Sequence, residues 1–309
     1  MTRKELTRKV KKLVLANNLD YVGIAPAESL KSEPEGIKPD DFLPGAQSVV
    51  CLGIKLSLGS QLANKMAHRY QRNLIYSYLW HGFGLPSLHF IDRTALLVTR
   101  LLEKEGYLAV PVMSASTFDT RSSIMEFSNQ HAAIAAGLGD LGWSGLVLTP
   151  DMGPRTRFGS VITNAKLETE GIYRGPRLCD VEKCKELGQG LPLCAKLCPT
   201  KALRAESDNV IIGDRGFQVA KFDRYRCMWA SMGLTKKALG LKEIPMPENV
   251  TPEDVMAGMK ERDAEQVAET LVIKRGDYCG KCIMECPVGS PAKIEEVLFR
   301  TEREQPQDG

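Results

Sequence analysis

Cysteine is the residue type here that could do the most chemistry. Eight of the nine cysteines fall into two runs, Cys179, Cys184, Cys194 and Cys198-Pro199, then Cys227, Cys279, Cys282 and Cys286-Pro287. Each run closes on Cys-x3-Cys-Pro. A 4Fe-4S cubane takes one thiolate per iron, so eight ligands match two such centres. Zinc ribbons are the competing reading, but they need two Cys-x2-Cys pairs for a closed tetrahedron and only Cys279/Cys282 has that spacing. Disulfides need an oxidising compartment, and the opening MTRKELTRKV is a basic helix start with no apolar h-region. The ninth cysteine, Cys51, sits in the apolar run SVVCLGI and reads as a buried, inert thiol.

In two-cluster ferredoxins the cysteine before proline serves the other cluster of the pair. That rule assigns Cys179, Cys184, Cys194 and Cys286 to one centre, and Cys198, Cys227, Cys279 and Cys282 to the second. The first run departs from the compact ferredoxin spacing. It reads C-x4-C-x9-C, with Gly188, Gly190 and Pro192 in the longer loop.

The elements that must position these thiols can be read from periodicity. Thr2 to Glu5 forms a capping box for a helix with Leu6, Val10, Leu13 and Val14 on one face, ending near Asn17 and Asn18. YVGIAP and the stretch from Ser48 to Leu56 read as strands, with a turn from Asp40 to Gly45 between them. The Tyr-rich stretch from Asn64 to Pro86 holds Tyr70, Tyr76, Tyr78, Trp80, His68 and His81, and reads as a lid or cleft wall. Helical spacing of Phe90, Ala95, Leu97, Val98, Leu101 and Leu102 predicts a helix from Ser87 to Glu105, stopped by Gly106. A strand from Tyr107 to Met113, the loop SASTFDTRSS, the Ala-rich helix FSNQHAAIAAG, and strands GLVLTP and RFGSVITN follow. Beyond Leu167, cysteines and Gly-Pro turns mark a small cofactor-dependent module, and the insert between Cys227 and Cys279 reads as largely helical.

Gly137-Leu-Gly139-Asp-Leu-Gly142 satisfies the GxGxxG pattern, but a dinucleotide site needs a strand before the glycines and a helix after them. The order here is reversed. The glycines read instead as a helix stop and a close backbone approach to something flat.

The stretch from Phe127 to Leu167 resembles the core of the cobalamin-dependent reductive dehalogenases and of epoxyqueuosine reductase. The shared features are AGLG, a small-residue turn, an [LI]-x-[TN]-P strand end and a G-P-x-x-R turn, followed by two split cysteine runs. The resemblance covers roughly residues 90 to 290. It implies an α+β protein. A nitroreductase-like α/β corrinoid-binding domain (1–167) would precede a ferredoxin-like module with two 4Fe-4S clusters and a helical insert (168–309). By the same resemblance Gly137, Gly139, Gly142, Leu148, Thr149 and Pro150 would meet the corrinoid, cobalamin, and the chain lacks D-x-H-x-x-G as these families do.

Arg157 matches the arginine of the G-P-x-x-R turn and could stabilise a developing anion, or else form a surface ion pair. His89 has a proton to give near neutrality, or serves as a helix cap. Tyr78 and Tyr76 are further acids or wall residues. Asp119, Arg121, Glu126 and His131 crowd the loop and helix ahead of AGLG, as cleft lining or as surface charges. The V-D-[ST] element of epoxyqueuosine reductases has Ser122-Ser123 as its nearest counterpart.

The chain has 309 residues, 43% of them hydrophobic, enough for one large or two ordinary cores. Its 41 basic and 38 acidic residues leave a net charge of +3 without a long block of one sign, which is no nucleic-acid footprint. No apolar stretch approaches the roughly 18 residues of a membrane span. The expectation is a soluble cytoplasmic oxidoreductase that cleaves a carbon–heteroatom bond in a small molecule and takes electrons from a ferredoxin or flavodoxin, with tRNA not an expected partner. Two alternatives stay open: an epoxyqueuosine reductase acting on tRNA, and a two-cluster electron carrier that binds no corrinoid.

Overall fold

The structure is a computed structural model that describes residues 1–70, 78–114, 126–235, 243–266 and 279–289. Tyr76, Asp119, Arg121 and Ser122-Ser123 lie outside the described residues, as do the side chains of His68 and Tyr70. The helices are α1 (Arg3–Ala16), α2 (Pro39–Phe42), α3 (Leu58–Tyr70), α4 (Asp92–Lys104), α5 (Asn129–Ala135), α6 (Val181–Leu187), α7 (Leu193–Lys196), α8 (Arg224–Ser231), α9 (Pro252–Gln266) and α10 (Lys281–Met284). The strands are β1 (Tyr21–Pro26), β2 (Ser48–Lys55), β3 (Ala109–Val112), β4 (Asp140–Leu141), β5 (Val147–Leu148), β6 (Thr156–Thr163), β7 (Leu203–Ile212) and β8 (Arg215–Phe222).

An antiparallel sheet in the order β1-β2-β6-β3 organises the front half. Side chains alternate along each strand, so each strand feeds two layers. Ile24, Val50, Leu52, Ile54 and Val161 face one side, where they meet Leu6, Val10 and Val14 of α1 and Ala95, Val98 and Leu102 of α4. Ala25, Val49, Cys51, Phe158 and Ile162 face the other, against Ala132 to Ala136. Two small clusters lie in the rear half. One gathers Met228, Trp229, Leu234 and Val255, and the other packs Trp143, Ala195, Leu203 and Ala220 beside Cys179, Cys194 and Cys282.

Several local expectations hold. The Thr2–Glu5 capping box is formed at the start of α1. Both buried strands stand where the pattern put them, and Gly106 closes α4 at φ +87. Cys51 is fully buried, and burial pushes its thiol up, as expected of an inert group.

Other elements differ. The helix expected from Ser87 starts only at Asp92, because Tyr78–Ile91 winds as a π-helix through Gly82, Gly84 and Pro86, which leaves Phe90 exposed. The described part of the stretch from Asn64 to Pro86 supplies the end of α3 and the buried Tyr78. GLVLTP is extended only at Val147–Leu148, which pairs with β4. The long β7–β8 hairpin was not foreseen. Its apolar face, Ile212, Phe217 and Val219, packs into the same core layer as α5.

Candidate functional site

The two central strands end together, with Lys55 of β2 paired to Thr156 of β6, and the chemistry-bearing side chains gather at this end. Arg157 extends over the ring of Phe83, 5.4 Å from its centroid, and its Nη2 donates to Tyr78 Oη at 3.4 Å. Its Nε–H is buried without a partner among the described residues, which leaves one donor of the guanidinium for a ligand. Tyr78 is 1% exposed. Gly82 makes room for it, since a Cβ there would stand 2.5 Å from the tyrosine ring. Burial, with Cys282 and Cys279 adding to it, pushes the Tyr78 hydroxyl above its ordinary value against the pull of Arg157.

Tyr78 also touches the cysteine-bearing loop. A side chain at Gly280 would stand 2.8 Å from Tyr78 Oη and 3.2 Å from Asn64 Nδ2. Asn64, on α3, donates to the Cys279 carbonyl at 3.4 Å, while its Oδ1 and both polar amide atoms of Gln61 one turn earlier are buried without a partner among the described residues. These two amides are absent from the sequence reading. Their signal, polar side chains on the inner face of an amphipathic helix, is visible only once that face is known.

Electrostatic neighbours group several of the thiols, with Cys282 adjoining both groups. Burial pushes Cys194 up to about 12, with Cys179, Cys184 and Cys286 as the thiols that add to it. Burial pushes Cys286 up to about 11, with Cys179 and Cys184 adding to it. In the other group burial pushes Cys227 up to about 12, with Cys279 and Cys198 adding to it. Cys282 is raised as well, first by burial and then by Cys227 and Cys279, with Cys194 and Cys198 adding to it. Backbone N–H groups already point at sulfur, from Trp143 to Cys179 at 3.4 Å, Leu193 to Cys184 at 3.3 Å and Ala202 to Cys198 at 3.2 Å. Thiols that repel one another when ionised, are largely desolvated and are met by N–H donors suit a group that binds thiolates and supplies positive charge, as iron–sulfur clusters do. Among the described residues no three His, Cys, Asp or Glu side chains converge closely enough to hold a single metal ion. In a cubane each sulfur meets a different iron, so the four need not converge on one point.

Three ties hold this assembly to the sheet. Asp140, fully buried, pairs with Arg177 Nη1 at 3.0 Å and Arg215 Nη2 at 3.8 Å and accepts from the Leu178 N–H at 2.9 Å, which fixes the backbone leading into Cys179. Arg155 reaches from the start of β6 into the Cys286 loop. Gly153, at φ +55, lies so close that a Cβ would stand 1.9 Å from the Val288 carbonyl oxygen. Gly153→Ala is therefore expected to cost about 1–3 kcal/mol of stability through backbone strain and displacement of that loop. A thermal melt of the cluster-loaded protein that matches wild type would contradict the tight approach.

Not every sequence candidate joins this site. His89 is exposed in the last turn of the π-helix. Glu126 is exposed, and His131 pairs with Glu33 at 2.5 Å. Gly137 terminates α5 at φ +76, and its absent Cβ would stand 2.4 Å from the Gly171 carbonyl oxygen. The approach at Gly139 is to the carbonyl of Leu148, 2.3 Å from an added Cβ, and Gly142 packs on the Leu148 side chain. Leu148 and Thr149 are buried within the chain, while Pro150 is exposed. At these three glycines the nearest atoms to an added Cβ belong to the chain itself.

At the same strand ends, Lys55 Nζ pairs with Asp151 Oδ2 at 2.8 Å and Tyr21 Oη donates to Asp151 Oδ1 at 2.6 Å. Partial burial pushes the Asp151 carboxyl up, but hydrogen bonds from Lys55, Tyr21 and Thr149 outweigh it and hold the group at about 2. Stability from this network is thus present above the ordinary carboxylate value of about 3.9 and lost as pH falls toward 2. Because the pair is half exposed, the expected contribution is under about 1 kcal/mol. Asp151→Asn should flatten the acid limb of denaturation midpoint against pH, and parallel limbs for the two proteins would contradict this.

No protein-family model matches the chain. The tetrachloroethene reductive dehalogenase of Dehalobacter restrictus is 30% identical over 154 residues, 45% of this chain and 24% of that protein. A second tetrachloroethene reductive dehalogenase, from Desulfitobacterium hafniense, is 31% identical over 123 residues, 38% of this chain and 18% of that protein. Over less than half of its length the chain is thus similar in sequence to reductive dehalogenases. It spans about a quarter of the length of the curated relatives it matches. Among solved structures, a catabolic reductive dehalogenase in complex with 3-bromo-4-hydroxybenzoic acid shares the fold at TM-score 0.52 and 17% identity, over 89% of this chain and 37% of that one. A reductive dehalogenase structure described in terms of B12-dependent dehalogenation gives the same TM-score and identity, over 89% and 36%. An epoxyqueuosine reductase from Streptococcus thermophilus overlays at TM-score 0.47 and 16% identity, over 91% and 65%. Mixed helix and sheet architecture of the dehalogenase type is thereby shown. Among the described residues no helix is long and apolar enough to cross a membrane.

Proposed function

We propose that this protein is an iron–sulfur reductase that cleaves a carbon–heteroatom bond, such as carbon–halogen, in a small molecule. Cys179, Cys184, Cys194 and Cys286 would hold one 4Fe-4S cluster, and Cys198, Cys227, Cys279 and Cys282 the other. A ferredoxin or flavodoxin would supply the electrons. The corrinoid is carried over from the relatives, and when bound it supplies low-valent cobalt, a strong nucleophile and reductant.

One observation supports the reading above the rest: a buried tyrosine and a guanidinium with a spare N–H stand against the backbone between Cys279 and Cys282. Electron supply, proton supply and anion stabilisation then meet in one place. Tyr78 Oη keeps its proton because burial disfavours the phenolate, so it has a proton to give to a carbanion-like product. Arg157 opposes the negative charge that develops as the bond breaks, and the partly enclosed setting strengthens that effect.

The test is anaerobic reconstitution with iron, sulfide and cobalamin, removal of free cofactor, reduction with titanium(III) citrate, and assay against brominated phenols and an epoxyqueuosine-containing tRNA stem loop. Halide release that falls about 10²-fold or more in Tyr78→Phe, with both clusters retained, is the expected result. Turnover of the stem loop alone would favour the epoxyqueuosine reductase reading. Iron near eight per chain with neither activity nor retained corrinoid would favour an electron carrier.

A further inference from the structure

The G-P-x-x-R spacing draws attention to Arg157 and passes over Arg155, yet Arg155 is the more deeply placed of the two, at 5% exposed. Its guanidinium is spent on backbone. Nη1 donates to the Val288 carbonyl at 3.0 Å and the Met152 carbonyl at 3.5 Å, and Nη2 donates to Cys286 at 2.7 Å and Met284 at 3.0 Å. Three of these four carbonyls belong to the loop that carries Cys286.

Such contacts satisfy the N–H donors but do not neutralise the charge. Among the described residues no carboxylate forms an ion pair with Arg155, and Glu285, its acidic neighbour in that loop, pairs with Lys65 at 3.6 Å. A buried cation without a counter-ion is costly, so an anion is expected beside it. The group placed to supply it is the Cys286 sulfur, which, with Glu285, favours the charged guanidinium against its burial.

We propose that Arg155 is the fixed counter-cation of the centre built on Cys179, Cys184, Cys194 and Cys286, and that its charge raises that centre's reduction potential relative to the other. This rests on the cluster reading given above. A thiolate-ligated cubane is anionic and gains a further negative charge on reduction, so a nearby buried cation favours the reduced form. Each reduction moves one electron from the donor, a reduced ferredoxin or flavodoxin, onto the centre. Arg155 takes up and releases no proton, because a guanidinium stays charged. Arg155 donates to the backbone of Cys286, a ligand of the first centre, and the other centre feels the charge less because the Coulomb interaction falls with distance. Electrons entering the chain would therefore rest preferentially on the centre beside Arg155.

The experiment is a redox titration followed by electron paramagnetic resonance on the full chain, reconstituted anaerobically with iron and sulfide, as wild type, Arg155→Met, Arg155→Gln and Arg155→Lys. Expected is a negative shift of one of the two potentials in the Met and Gln variants, the other potential staying put, with Lys restoring most of the shift because it keeps the charge. If Met and Gln both fail to assemble one centre while Lys assembles two, the charge is again required. Equal shifts in Lys and Met, unchanged potentials in all variants, or loss of the centre in all three would overturn the proposal. Wild-type protein that holds no cluster would sink the cluster reading instead, and the iron and sulfide content of wild type separates that failure from this one.

Discussion

Cys286→Ala is expected to remove the iron–sulfur centre shared with Cys179, Cys184 and Cys194 and to leave the other intact, halving the iron and sulfide bound per chain. Cys286 and Cys282 are four residues apart on the same turn, yet their surroundings differ. Cys286 meets Cys179 and Cys184, while Cys282 meets Cys227 and Cys279 first. Truncating one ligand of a cubane leaves an iron without its protein sulfur, which destabilises the whole centre rather than a quarter of it. Iron analysis and the resonance spectrum of the reduced protein read the result directly. Clean loss of the centre built on Cys198, Cys227, Cys279 and Cys282 would contradict the crossing.

Asp140→Ala is expected to cost about 3–5 kcal/mol, the typical result of removing one partner from a buried ion pair. The carboxylate faces Arg177 and Arg215 and also accepts from the backbone of Leu141 and Leu178, so its loss leaves two neighbouring cations without their shared carboxylate, held by the Phe217 ring and the Leu141 and Tyr173 carbonyls. Arg177 is partly exposed, which puts the expectation at the lower end of that range. The damage should not be confined to stability. Leu178 precedes Cys179, so loss of its anchor loosens the first ligand of one centre while Cys198 and its partners stay held. Asp140→Asn, which keeps the shape but not the charge, should fall between. A variant that melts with wild type and keeps full iron would show that the buried pair is dispensable.

The parts of this molecule legible in the sequence are those whose causes are local. The Thr2–Glu5 capping box lies within four residues, and the β1 and β2 strands are short runs bounded by turns. The cysteine runs are legible because the proposed clusters' demand for thiolates would be written in spacing. The β7–β8 hairpin is not legible although its turn, Gly213-Asp214 between Ile212 and Arg215, carries the usual composition, because most of β7 is exposed and polar and lacks apolar alternation. The start of α4 was misplaced because the π-helix before it carries apolar residues that suit either winding.

The residues that assemble the site were the least legible. Asp140 meets arginines 37 and 75 positions later in the chain, and Arg155 meets carbonyls about 130 residues away. Nothing in the neighbourhood of either residue announces such a partner. The glycines between Ala136 and Trp143 likewise meet distant backbone, Gly137 at Gly171 and Gly139 at Leu148, contacts that their spacing does not announce. Tyr78 and Arg157 differ from these cases: their types suggested chemistry, and the fold places them in hydrogen-bond contact.

The most direct test of the account is the metal and sulfide content of anaerobically purified, reconstituted protein, with its resonance spectrum on reduction. Two cubanes require about eight iron and about eight inorganic sulfide per chain, with two interacting paramagnetic centres in the reduced state. Zinc in place of iron, or iron and sulfide near four per chain, would contradict it.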